Sequence, residues 1–206
     1  ELDRLDEAAE AATEQLPDYR LTDIADRLVE RGADDRARPL LEGRIADGYP
    51  YPAHLQWLYD HAIEAGDHET ALHDARRLFE AQPSTQAYEQ VRRAAEPLNR
   101  WETVRAELLD AIEQSHRKDL LVELHLHEDA PAKALEIVEP FAGEDRSWSF
   151  GVLFLASVAD AVTDTSPESA VAFYEESARR LIDRRGRSNY ADAVALLQRA
   201  KCVYDA

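Results

Sequence analysis

Apolar residues recur three and four positions apart along the chain, the spacing that lines one face of an α-helix. Leu2, Leu5, Ala9, Ala12 and Leu16 make the first such face, and Pro17 ends it. Ile24, Leu28 and Val29 make the next, with Thr22 and Asp23 as candidate caps and Gly32 as its stop. A partner helix from Asp34 carries Ala37, Leu40, Leu41 and Ile45 and ends at Gly48. Pro50 and Pro52 open a helix with Leu55, Leu58, Tyr59 and Ile63, and Asp67 caps one with Ala71, Ala75, Leu78 and Phe79. Ser84 caps a helix with Tyr88, Val91 and Ala95, and Trp101, Val104, Leu108 and Ile112 line another. Leu120, Leu121, Leu124 and Leu126 follow, and then Ala134, Ile137, Val138 and Phe141, with Pro131 in the first turn and Gly143 beyond. Trp148–Val162 is apolar enough to read as a helix buried on all sides. Ser166-Pro167-Glu168 starts a helix with Val171, Phe173, Tyr174 and Leu181. The last helix carries Tyr190, Val194, Leu197 and Tyr204. Alternating β-branched runs are missing, and strong helix formers dominate. The pattern predicts an all-α protein of about twelve helices. Connections of two to six residues predict one continuous domain over residues 1–206.

A second periodicity overlies the first. The small or apolar pivots Ala37, Ala71, Val104 and Ala134 are 34, 33 and 30 residues apart. A period of this size marks a solenoid of stacked helix pairs. Residues 52–83, with Gly66 at the turn, Ala71 early in the second helix and Pro83 after it, resemble a tetratricopeptide repeat. That resemblance implies a right-handed α-α superhelix, with the first helix of each pair lining a concave groove. On that register the groove positions are Gln56, Asp60 and Glu64, then Glu89 and Arg93, then Glu123 and His127. Most of them are acidic, so a groove ligand is expected to be a basic protein or peptide, or one that presents backbone amides.

Residues 181–197, with a basic turn, Tyr190 and an Ala-x-x-Leu-Leu run, are similar to the tail of the helical region in SWIM zinc-finger proteins. In those proteins zinc sits in a separate Cys/His module. This chain has one cysteine, Cys202, and no methionine even at position 1. It therefore reads as a piece of a longer protein. No cofactor is expected in these residues, and zinc would belong to a module of the parent.

Charge narrows the function classes. The net charge is −18, from 42 acidic and 24 basic residues, only three of them lysines. This acidic, lysine-poor surface resembles that of proteins from salt-loving archaea, where screening falls to about 3 Å at 1 M salt. Such charge disfavours non-specific binding to nucleic acid or anionic membranes. The 15 apolar residues from Trp148 to Val162 fall short of the roughly 20 that span a bilayer. A lone cysteine and no signal peptide suit a cytoplasmic location.

Candidate chemistry is thin. His125 and His127 are two positions apart and point to different sides of a helix, so one metal site cannot easily use both. His61, Glu64 and His68 flank the Gly66 turn and read as packing and capping. The acidic pairs Glu10/Glu14 and Asp34/Asp35 are expected in a chain with 42 acids. No phosphate loop, Gly-x-Ser-x-Gly or His-Glu-x-x-His motif occurs. Residues 176–206 carry a net +3, with Arg179, Arg180, Arg184, Arg185 and Arg187 clustered, while the rest of the chain carries −21. That polarity suits a nucleic-acid or acidic-protein contact, or neutralisation of the chain's own acids. The sequence thus predicts a non-catalytic protein–protein interaction scaffold. The alternative is an accessory region of a nucleic-acid-binding zinc-finger protein.

Overall fold

A computed structural model describes residues 17–46, 48, 51–141 and 151–205. The first expected helix, the Glu10/Glu14 pair, Pro50, Gly143, Trp148 and Phe150 lie outside the described residues. The described residues form eleven α-helices and no strand, so the protein is all-α. The helices are α1 (Leu21–Glu30), α2 (Asp34–Ala46), α3 (Pro52–Glu64), α4 (His68–Ala81), α5 (Thr85–Ala95) and α6 (Trp101–Gln114). They continue as α7 (Lys118–His127), α8 (Pro131–Val138), α9 (Val152–Val162), α10 (Pro167–Asp183) and α11 (Arg187–Tyr204). The chain gathers into two compact units, Glu1–Glu107 and Leu108–Ala206.

The repeat seen in the sequence has a local structural cause. Gly32, Gly66, Asn99 and Asp129 all adopt left-handed backbone, with φ of 72°, 72°, 55° and 55°. The residue after each donates its amide five residues back: Ala33 to Leu28 (2.9 Å), Asp67 to Ala62 (3.0 Å), Arg100 to Ala95 (3.1 Å) and Ala130 to His125 (2.8 Å). This is the Schellman closure, which satisfies carbonyls that the ending helix leaves open. Four residues beyond each of those amides stand Ala37, Ala71, Val104 and Ala134, all buried. The same turn, repeated, brings the same position of each following helix back into the core. Glycine tolerates left-handed backbone, and Asn and Asp do so better than most residues. Around Gly66 a β-carbon would meet nothing within 4 Å. Gly66→Ala is therefore expected to cost about 1 kcal/mol from backbone conformation alone, read as a lower urea midpoint with unchanged slope.

In the first unit α1 packs on α2, α3 on α4, and α4 on α5. Leu21, Ala25, Leu28, Ala37, Leu41 and Leu58 form one core cluster. Like helices also meet across hairpins. Trp57 of α3 donates its indole N–H to Asp26 of α1 at 2.6 Å. Arg38 of α2 donates to Asp74 of α4 at 2.6 Å, and Arg77 of α4 grips Glu42 of α2 at 2.8 and 2.9 Å. In the second unit α10 packs against α9 and α11, and α7 against α8. Phe173, Tyr174, Val158, Val162 and Val138 form its core.

The caps read from Asp67 and Ser84 are present: Asp67 accepts from the Thr70 amide at 3.1 Å, and Ser84 from Ala87 at 3.2 Å. Three expectations are corrected. Thr22 and Asp23 lie inside the first turn of α1, whose cap position is Arg20 and carries no side-chain bond. α9 is not buried on all sides, because Ser157, Asp160 and Ala161 form an exposed edge. Asp160 there bonds Tyr174 and Arg199. In α11 the buried face is Ala193, Leu196 and Ala200, while Tyr190, Val194, Leu197 and Tyr204 are exposed. Alanines let that helix approach α10 closely, and the bulkier stripe is left outside.

Candidate functional site

Five of the seven groove positions come together in the first unit. α3 and α5 present Asp60, Glu64, Glu89 and Arg93 around two hollows that share Asp60, and Gln56 is tied to them by hydrogen bonds. Gln90 of α5 donates to Gln56 at 2.9 Å, and Gln56 donates to Asp60 at 2.9 Å. This ladder of hydrogen bonds joins the two helices. Glu123 and His127 lie in the second unit, exposed on α7.

The larger hollow, about 630 Å³, is lined by Tyr59, Asp60, Glu89, Gln90, Arg93 and their neighbours. Tyr59 and Gln90 carry its unusual chemistry. The Tyr59 hydroxyl and the Gln90 Oε1 are both buried without a hydrogen-bond partner. A buried polar atom left unpaired costs about 1–3 kcal/mol, so two on one wall need an explanation. Burial pushes the Tyr59 hydroxyl above its ordinary value of 10.0, with Arg93 opposing and Asp60 adding to the rise. The hydroxyl therefore stays protonated and can donate. Arg92 is engaged by Glu96 at 2.7 Å and Glu89 at 3.5 Å, which holds it at the rim.

The smaller hollow, about 430 Å³, is lined by Asp26, Val29, Glu30, Trp57, Asp60, His61 and Glu64. Trp57 stacks on His61 with ring centres 4.8 Å apart and planes at 13°. An indole face beside four carboxylates is a setting that favours an ammonium or guanidinium group. Tyr59 belongs to the apolar face that the sequence predicts, and the fold sets it on the wall of the larger hollow, while Trp57, outside that apolar set, lines the smaller one.

The other candidates resolve into structure. His125 is buried and His127 exposed, as their two-residue offset requires. Among the described residues no group of three or more His, Cys, Asp or Glu side chains is placed to hold a metal. No helix among them is long and apolar enough to cross a membrane. Of the arginine cluster, Arg179 and Arg180 both clasp Glu176, Arg180 at 2.6 Å. Burial raises the Glu176 carboxyl, but the two guanidiniums outweigh it and hold it below 4.5. Arg184 borders a hollow of about 520 Å³ with Leu181, Leu196 and Arg199. Arg185 (φ 52°) and Gly186 (φ 122°) make the turn into α11, and Arg187 is its first residue. No protein-family model and no curated protein matches this chain.

Proposed function

We propose that the chain is a non-catalytic scaffold that binds a basic peptide segment across α3 and α5. The carrying observation is the pair of unmatched buried groups, a donor on Tyr59 and an acceptor on Gln90. Both atoms are closed to solvent in the free protein, and a peptide unit offers the complement, a carbonyl for the hydroxyl and an N–H for the amide oxygen, once the Tyr59 and Gln90 side chains turn toward the hollow. A lysine or arginine of the same segment enters the Trp57 hollow beside Glu30, Asp60 and Glu64. The repeated Schellman turn supports taking the chain as a tetratricopeptide-like solenoid. A place in a SWIM zinc-finger-like parent, and work in the cytoplasm, complete this reading. The nucleic-acid alternative has less support, since two of the five clustered arginines are already tied to Glu176.

Tyr59→Phe separates a ligand-binding hydroxyl from a merely structural one. The variant removes an unpaired buried donor, so the free protein is expected to gain about 1 kcal/mol in stability. Its affinity for lysine-bearing dodecapeptides is expected to fall about tenfold, which is 1.4 kcal/mol. Stability is read by urea unfolding and affinity by fluorescence polarisation. A stability loss together with unchanged affinity would refute the assignment.

A further inference from the structure

The solvent side of α11 has an order that its packing does not use. Arg187, Tyr190, Val194, Leu197, Lys201 and Tyr204 follow one another at spacings of three, four, three, four and three. That is the spacing of the a and d positions of a coiled coil, held over about two and a half heptads. Tyr204 is 84% exposed, Val194 54%, Tyr190 48% and Leu197 42%. Arg187 and Lys201 are exposed as well. The seam runs for 17 residue steps, or about 26 Å. The buried residues of the same helix, Ala193, Leu196 and Ala200, each stand one residue before a seam position, on the adjacent face about 100° around the helix.

We propose that this seam pairs antiparallel with the same seam of a second copy of the chain. The charge pattern selects the occupant and its direction. Both cations occupy a positions with Val194, and both outer tyrosines occupy d positions with Leu197. A parallel pair would set Arg187 against Arg187 and Lys201 against Lys201, and like charges in facing layers repel. An antiparallel pair sets a against d. In the full-length register Arg187 meets Tyr204, Tyr190 meets Lys201, and Val194 meets Leu197. Every cation then lies over an aromatic ring, and the centre is aliphatic. The ends match too. Arg184 and Arg185 of one copy reach the last turn of the other, where open carbonyls and Asp205 are negative. A foreign acidic helix would satisfy Arg187 and Lys201 but leave the two tyrosines without a cation. Arg184, Arg185 and Arg187 of the arginine cluster thus join the exposed stripe in one surface. The interface is isologous, as a two-fold dimer requires.

Sedimentation equilibrium of the whole chain tests this. A monomer–dimer equilibrium is expected, shifted toward dimer between 0.1 M and 1 M KCl as salt screens the −18 charge of each copy. Leu197→Glu is expected to be monomeric with an unchanged helical circular dichroism spectrum. Direction is read in a Cys202→Ser background. A Tyr190→Cys chain mixed with a Lys201→Cys chain is expected to give a disulfide-linked pair. Lys201→Cys alone is not, because antiparallel pairing sets those positions about 16 Å apart along the axis, beyond the roughly 7 Å a disulfide tolerates. A monomer at every concentration and salt, or ready self-linking of Lys201→Cys, overturns the proposal. So does a dimer that Leu197→Glu leaves intact. Each of those results leaves the α3–α5 groove reading standing, since no groove residue lies on α11.

Discussion

Asp74→Ala is expected to destabilise the protein by about 3 kcal/mol, the low end of the cost of removing one partner from a buried ion pair. Asp74 has no exposed surface, yet it is an acid on a helix of an acidic protein. Its carboxylate takes Arg38 at 2.6 Å and Arg77 at 3.3 Å. Arg38 also donates to the Leu58 carbonyl at 3.2 Å, and Arg77 reaches Glu42. One aspartate thus ties α2, α3 and α4 together. Without it two guanidiniums remain in a half-dry site. Both are partly exposed, at 29% and 24%, so water recovers some of the loss. Asp74→Asn keeps one acceptor oxygen and is expected to lose less. The readout is the urea midpoint, and an unchanged midpoint for Asp74→Ala would remove the cluster from the account. The cluster is also acid-sensitive. The hydrogen bond from Arg77 holds the Glu42 carboxyl below its ordinary 4.5 despite burial. A depressed carboxyl stabilises the fold above its unfolded value, and that contribution is lost as pH falls below 4.5 toward the folded one. Glu42→Gln should flatten the decline in stability between about pH 5 and pH 3.

Phe173→Ala is expected to cost about 4 kcal/mol, at the scale of a large buried side chain removed from a core that cannot collapse into the space. Phe173 is 1% exposed and sits in the α9–α11 core with Leu155, Val158 and Ala178. Phe173→Leu keeps much of the volume and is expected to lose about 1.5 kcal/mol or less. The two variants together distinguish a cavity from a general intolerance of change. A similar cost for both would argue that the ring does something beyond filling space.

The helices were legible because their apolar spacing is local information. The caps at Asp67 and Ser84 were legible for the same reason, since each bonds an amide three residues ahead. The 34-residue pivots were visible, and the turn beneath them was half visible. Gly32 and Gly66 announce left-handed backbone, whereas Asn99 and Asp129 reach it through residues common in other settings. The packed face of α11 and the burial of Asp74 both depend on distant neighbours. α11 carries two apolar faces, and periodicity alone does not say which one packs. Asp74 looks like any solvated acid, because its partner Arg38 is 36 positions away. Helix register places Gln56, Asp60, Glu64, Glu89 and Arg93 on two helices, and the structure sets Asp60, Glu64, Glu89 and Arg93 around the two hollows. The unmatched Tyr59 hydroxyl did not, because an unpaired group is visible only once every neighbour is placed.

The groove account stands or falls on charge at α3. The decisive measurement is fluorescence polarisation with paired dodecapeptides, identical except for two lysines in one and two glutamates in the other. The lysine peptide is expected to bind the wild-type chain and the glutamate peptide not to. Asp60→Lys or Glu64→Lys should abolish that preference without loss of helix content. Equal binding of both peptides, or a lysine preference that survives both reversals, would contradict a basic segment seated between α3 and α5.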